Sequence, residues 1–142
     1  MIQLRSMWSR YSVFIAAVML SGCSFSADYG DAKNATEVFH GMMDRGEYAA
    51  IYDTAARGFQ ASTSRENLVG FFKRVNRKMG KCGEGPVTFG GYQATTSGTF
   101  VTVTSSRTCA NGTLSEEFVW LMVGGRATLL RYNANNPLLL TD

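Results

Sequence analysis

The hydrophobic period changes near Gly80, and that change limits the folds open to this chain. Before it, apolar residues recur at helical spacing. After it they alternate. From about 35 to 43, Ala35, Val38, Phe39, Met42 and Met43 share one helical face. Asn34 is placed to cap it, and Glu37, His40 and Asp44 fall on the opposite face. A Glu–His–Asp face invites a metal or acid–base reading, but no second histidine or cysteine accompanies it, so it reads as solvated surface. Asp44-Arg45-Gly46 breaks this helix. A second helix carries Tyr48, Ile51, Tyr52, Ala55 and Phe59 on one stripe, where a buried Tyr52 hydroxyl needs a partner. Thr63-Ser64-Arg65-Glu66 is a capping-box signature for a third helix ending near Gly80, with Leu68, Phe71, Phe72, Val75 and Met79 inward. Lys73, Arg74, Arg77, Lys78 and Lys81 cluster within roughly 140° on its other side. That cluster reads first as a solvated face suited to the helix C-terminus. Anionic lipid headgroups are a second reading and nucleic acid a third.

Beyond Gly80 the chain reads as strands over 87–94, 99–110, 113–123 and 126–133, the first weakened by Gly90-Gly91. Asn111-Gly112 is a strong hairpin signal, and Gly124-Gly125 makes a second tight turn. A two-residue Asn-Gly loop predicts Cys109 opposite Leu114, Arg107 opposite Glu116, Ser105 opposite Phe118 and Val103 opposite Trp120. The next turn puts Leu129 opposite Trp120 and Arg131 opposite Phe118. All lie on one face, the more apolar one, which the helices should cover. Helices first and an antiparallel sheet second make an α+β chain: three N-terminal helices packed on a curled antiparallel sheet of about four strands. Leu138-Leu139-Leu140 is too short to span anything and should pack at the domain edge.

The amino-terminal end has a different character. Arg5 and Arg10 precede an apolar run of eight, residues 13–20, and Leu20-Ser21-Gly22-Cys23 closes it. This is the layout of a secretory signal, too short for a permanent bilayer span. The four-residue ending resembles the lipobox of bacterial lipoproteins. That resemblance implies removal of residues 1–22, acylation of Cys23, and a domain held at the cell envelope facing the periplasm. Ser24 in place of an aspartate points toward the outer membrane. Residues 23–33 then read as the lipidated cysteine and a tether, and 34–142 as the domain. Removing the first 22 of 142 residues leaves 120, enough for one core. Without Arg5 and Arg10, 12 of the 14 basic residues face 11 acidic ones, so no net charge draws nucleic acid. With Cys23 on lipid, Cys82 and Cys109 remain, and outside the cytoplasm they should pair as a disulfide; two buried free thiols are the alternative. No metal or cofactor is implied.

Phe39–Phe59, together with Asn111-Gly112, Glu117-Phe118-Val119-Trp120 and Leu130-Arg131-Tyr132-Asn133, resembles small families of bacterial envelope proteins with a nuclear transport factor two-like, or cystatin-like, cone. The resemblance covers about residues 34–136. It implies the cone-shaped fold and leaves activity open, because relatives include isomerases, dehydratases, binding modules and assembly domains. Motifs for a nucleophile elbow, a zinc helix or a phosphate loop are absent from the sequence. The expectation is a non-catalytic lipoprotein binding a small apolar or anionic amphiphilic ligand, or an envelope-protein partner. A structural or assembly role is one alternative, an isomerase- or dehydratase-like enzyme another. The expected pocket is lined by Tyr52, Val103, Arg107, Glu116, Phe118, Trp120, Leu129 and Arg131; a core filled by Phe71, Phe72 and Val75 is the competing outcome.

Overall fold

The computed structural model describes the backbone of residues 21–141 and the side chains of residues 24–141. Residues 1–20 of the expected signal segment 1–22, and the side chains of residues 21–23, the expected lipid-bearing Cys23 among them, lie outside the described residues. Four helices, α1 (Ser21–Asp44), α2 (Tyr48–Thr54), α3 (Arg57–Ser62) and α4 (Arg65–Met79), precede four strands, β1 (Val87–Thr95), β2 (Gly98–Cys109), β3 (Gly112–Val123) and β4 (Arg126–Asn135). The strands form one curled antiparallel sheet in the order β1-β2-β3-β4, so the chain is α+β with its helices first. A short 3-10 helix, Pro137–Leu140, closes the described chain. Leu139 packs against the core from it, and Lys78 of α4 donates to the Thr141 carbonyl just beyond it.

Helix α1 corrects two expectations. Residues 24–33 are helical and not a tether, and Tyr29 and Ala32 already pack on the core. The inward stripe also differs from the expected one. It runs through Tyr29, Ala32, Thr36, Phe39, His40 and Met43, while Val38 is 53% exposed. Polar partners turn the helix this way. Thr36 Oγ1 donates to the Ala32 carbonyl at 2.9 Å and accepts from Trp120 Nε1 at 3.0 Å. A stripe containing threonine and histidine is not apolar, so hydrophobic spacing alone chose a neighbouring face.

The expected second helix is two. Ala55 and Ala56 are extended, and Ala56 N–H donates to the Leu129 carbonyl at 2.9 Å, so a bond to β4 replaces a turn of helix. In α4, Ser64 and not Thr63 is the cap, its hydroxyl accepting from Asn67 N–H at 3.1 Å. Gly80 ends α4 at φ 71°, a left-handed conformation that favours glycine.

Strand limits agree with the alternation to within two residues at each end. The β2–β3 register slips by two: Cys109 pairs with Gly112, Arg107 with Leu114, Ser105 with Glu116, Val103 with Phe118 and Val101 with Trp120. The turn is Ala110-Asn111, because the hairpin tip docks on the end of α4. Ala110 N–H donates to the Lys81 carbonyl at 2.9 Å and Asn111 N–H to the Met79 carbonyl at 3.0 Å. A slip of two keeps every side chain on its face, so the covered face is the expected one. The Cys82–Cys109 disulfide lies beside this contact and ties the end of α4 to the sheet. Its sequence separation of 27 corresponds to roughly 3–4 kcal/mol on the chain-entropy account.

Candidate functional site

The face beneath the helices is filled. Phe118 and Val103 are fully buried. The Phe39 ring stands edge-on to Phe118 at 5.0 Å and to Phe72 at 5.6 Å, and Phe118 stacks on Trp120 at 5.9 Å. Space under α4 that was expected to form a pocket mouth holds these rings instead.

Within this core lies a polar network. His40 Nε2 donates to Glu116 Oε2 at 2.7 Å, and Tyr132 Oη donates to Glu116 Oε1 at 2.7 Å. His40, expected on the solvated face, is buried against β3. Tyr132 arrives through a bulge. Trp120 pairs with Leu129 as expected, but Val119 pairs with Arg131, so Leu130 is the extra residue and every later side chain of β4 changes face. Tyr132 therefore takes the inward place opposite Phe118, and Arg131 turns outward to Glu117 at 3.5 Å. Burial and the adjacent Glu116 carboxylate hold the Tyr132 phenol well above its ordinary value of 10.0. Ser105, directly across from Glu116, has a buried hydroxyl with no partner among the described residues.

Arg107 is buried and does not meet Glu116. It donates through Nε to the Gly83 carbonyl at 3.0 Å and through a terminal nitrogen to both Asp44 oxygens at 3.1 and 3.2 Å. Tyr52 finds its partners locally, donating to the Gln60 and Thr63 carbonyls at 3.1 and 3.3 Å, and braces the α2–α3 turn. Arg107, Arg131 and Tyr52 thus leave the expected pocket for three different reasons. The first pairs with Asp44 and the Gly83 carbonyl, the second is turned out by a bulge, and the third finds its partners in the adjoining helix and its end.

Trp120 and Leu129 do reach a cavity, at the side of the cone. A cleft of about 320 Å³ opens between α1, α2 and the β3–β4 hairpin. Phe39, Ile51, Trp120 and Leu129 form its apolar part; Asp31, Asn34, Thr54 and Arg126 supply its polar groups. Polar groups at the edge of an apolar floor suit an amphiphilic or small apolar molecule. Asp31, Asn34, Thr54 and Arg126 were not foreseen. Residue 31 falls in the expected tether, and Arg126 sits at a turn whose position relative to α1 is purely tertiary.

Among the described residues no group of three metal-ligating side chains converges, and no helix is long and apolar enough to cross a membrane. Comparison with protein-family models and with curated proteins finds no match to the chain.

Proposed function

We propose that this chain is a lipid-anchored protein of the bacterial cell envelope, akin to lipoproteins with a nuclear transport factor two-like domain, that holds a small apolar ligand in the side cleft. Its anchor is an acylated Cys23, it faces the periplasm, and Ser24 favours the outer membrane. The observation that carries the ligand reading is the cleft itself, where Trp120 and Leu129 lie beside Phe39 and Ile51 with polar groups around them. The case for an anionic ligand narrows to Arg126, because Arg107 and Arg131 are engaged elsewhere and Asp31 shares the cleft. A neutral or weakly amphiphilic molecule suits that balance better than a strong anion.

Loss of the signal segment removes Trp8, which leaves Trp120 as the sole indole and a direct reporter. Titration with a long-chain alcohol and with the matching fatty acid should shift Trp120 emission in both cases. The two affinities should lie within a few-fold of each other, and Arg126→Ala should weaken the acid alone. Emission unmoved by either compound would remove the ligand reading and leave an assembly role on the outer surface. Enzymatic use of the cone finds less support: His40, Glu116 and Tyr132 satisfy one another beside the Phe39 and Phe118 rings, an arrangement suited to holding α1 on the sheet.

A further inference from the structure

We infer that the aromatic patch formed by Phe25, Phe89 and Tyr92 is a membrane-contact surface that seats the domain on the bilayer holding its lipid anchor. The inference rests on the lipoprotein reading of Cys23. The three rings are 38%, 45% and 36% exposed, yet they are not scattered. Phe25 meets Phe89 edge-on at 5.2 Å and Tyr92 at 5.1 Å, and Tyr29 backs Phe89 at 5.6 Å. A β-bulge between Phe89 and Gly91 builds the patch. It brings Phe89, opposite Val103, and Tyr92, opposite Val101, onto one face although they are three residues apart.

The location of the anchor names the occupant. Phe25 follows Cys23 by two residues in one continuous helix, so the backbones of Cys23 and Phe25 lie within a single turn, about 3 Å apart along the axis and roughly 200° around it, well inside the reach of an acyl chain. With no tether between them, a domain whose lipid is inserted holds these rings at the headgroup layer. The chemistry suits that depth. Two phenylalanines supply apolar area, and Tyr92 keeps its hydroxyl on a polar partner, Asp28 Oδ2, at 3.3 Å. Aromatic side chains with one apolar and one polar end favour this interface. The exposed cation Lys81 sits elsewhere, by the β2–β3 hairpin tip, where its backbone carbonyl accepts from Ala110 N–H. The three rings carry no charge, and Lys33, the cation on α1, is paired with Glu37, so salt should not release the contact.

The test uses the acylated full chain in phosphatidylcholine vesicles whose acyl chains carry bromine near the headgroup. Phe89→Trp places an indole in the patch, 66 positions from the anchor in sequence. Leu140→Trp places one on the 3-10 helix, at an 84% exposed position. With the wild-type Trp120 signal subtracted, bromine should quench the Phe89→Trp emission several-fold more than the Leu140→Trp emission, equally at low and high salt. Tyr92→Trp should behave as Phe89→Trp does. Equal quenching at both positions, or a patch indole shielded only because the protein self-associates, would overturn the inference. An intact mass on the same sample separates the two layers. Acyl groups present with equal quenching overturn the patch alone; acyl groups absent overturn the patch and the lipoprotein reading together.

Discussion

Glu116→Ala is expected to cost the fold about 2–5 kcal/mol, since each buried donor left unpaired costs roughly 1–3 kcal/mol. The carboxylate accepts from both His40 and Tyr132 inside the core, so its loss leaves two buried donors unpaired beside the already unpartnered Ser105 hydroxyl. Glu116→Gln, which keeps one acceptor oxygen, should lose less. Denaturant unfolding followed through Trp120 measures both. Alkali should reveal the same network. The folded-state pKa of Tyr132 is raised above its ordinary 10.0, first by burial and then by Glu116. Its stabilising contribution is fully present below pH 10 and is lost as the pH rises above that value, because the unfolded chain gives up the proton first. Tyr132→Phe should show a shallower alkaline decline than the wild type. A wild-type stability for Glu116→Ala would mean that the network contributes nothing to holding α1 on the sheet.

Cys23→Ala is the second large effect, and it is all or none. A chain with two or more acyl groups is stably anchored, at about 0.8 kcal/mol per buried CH₂, whereas one with none has only the aromatic patch to hold it. The variant should lose acyl labelling and remain either uncleaved or free of the membrane. Because the first core contact of α1 among the described residues is Tyr29, six positions beyond Cys23, the domain should still fold and retain its Cys82–Cys109 disulfide. Membrane fractionation with metabolic acyl labelling checks it; a wild type that fractionates with membranes yet carries no label would contradict the assignment.

Much of the fold was legible because strand alternation and turn residues are local signals. Val87, Gly98, Gly112 and Arg126 open strands within one residue of where alternation resumes. The covered face survived a two-residue register slip because side-chain direction depends only on parity. What escaped was decided by partners distant in sequence. His40 is inward because Glu116 lies 76 positions away, and no spacing rule around His40 contains that information. The length of α1 was hidden for a related reason: its amino-terminal turns are held by Phe89 and Val87 on β1 through Phe25 and Tyr29, with small and polar residues between. The Leu130 bulge exchanged Arg131 for Tyr132, and with that single residue the expected cationic rim became a buried phenol. The candidate site was therefore readable only in Trp120 and Leu129, the pair whose register the Gly124-Gly125 turn sets directly.

Mass spectrometry of the intact protein extracted from membranes, before and after reduction, decides whether Cys23 is the acylated first residue. The expected chain begins at Cys23, carries two or more acyl groups, and gains two hydrogens when reduced as the Cys82–Cys109 bond opens. A chain that retains residues 1–22, or begins at Cys23 with an unmodified thiol, would contradict it.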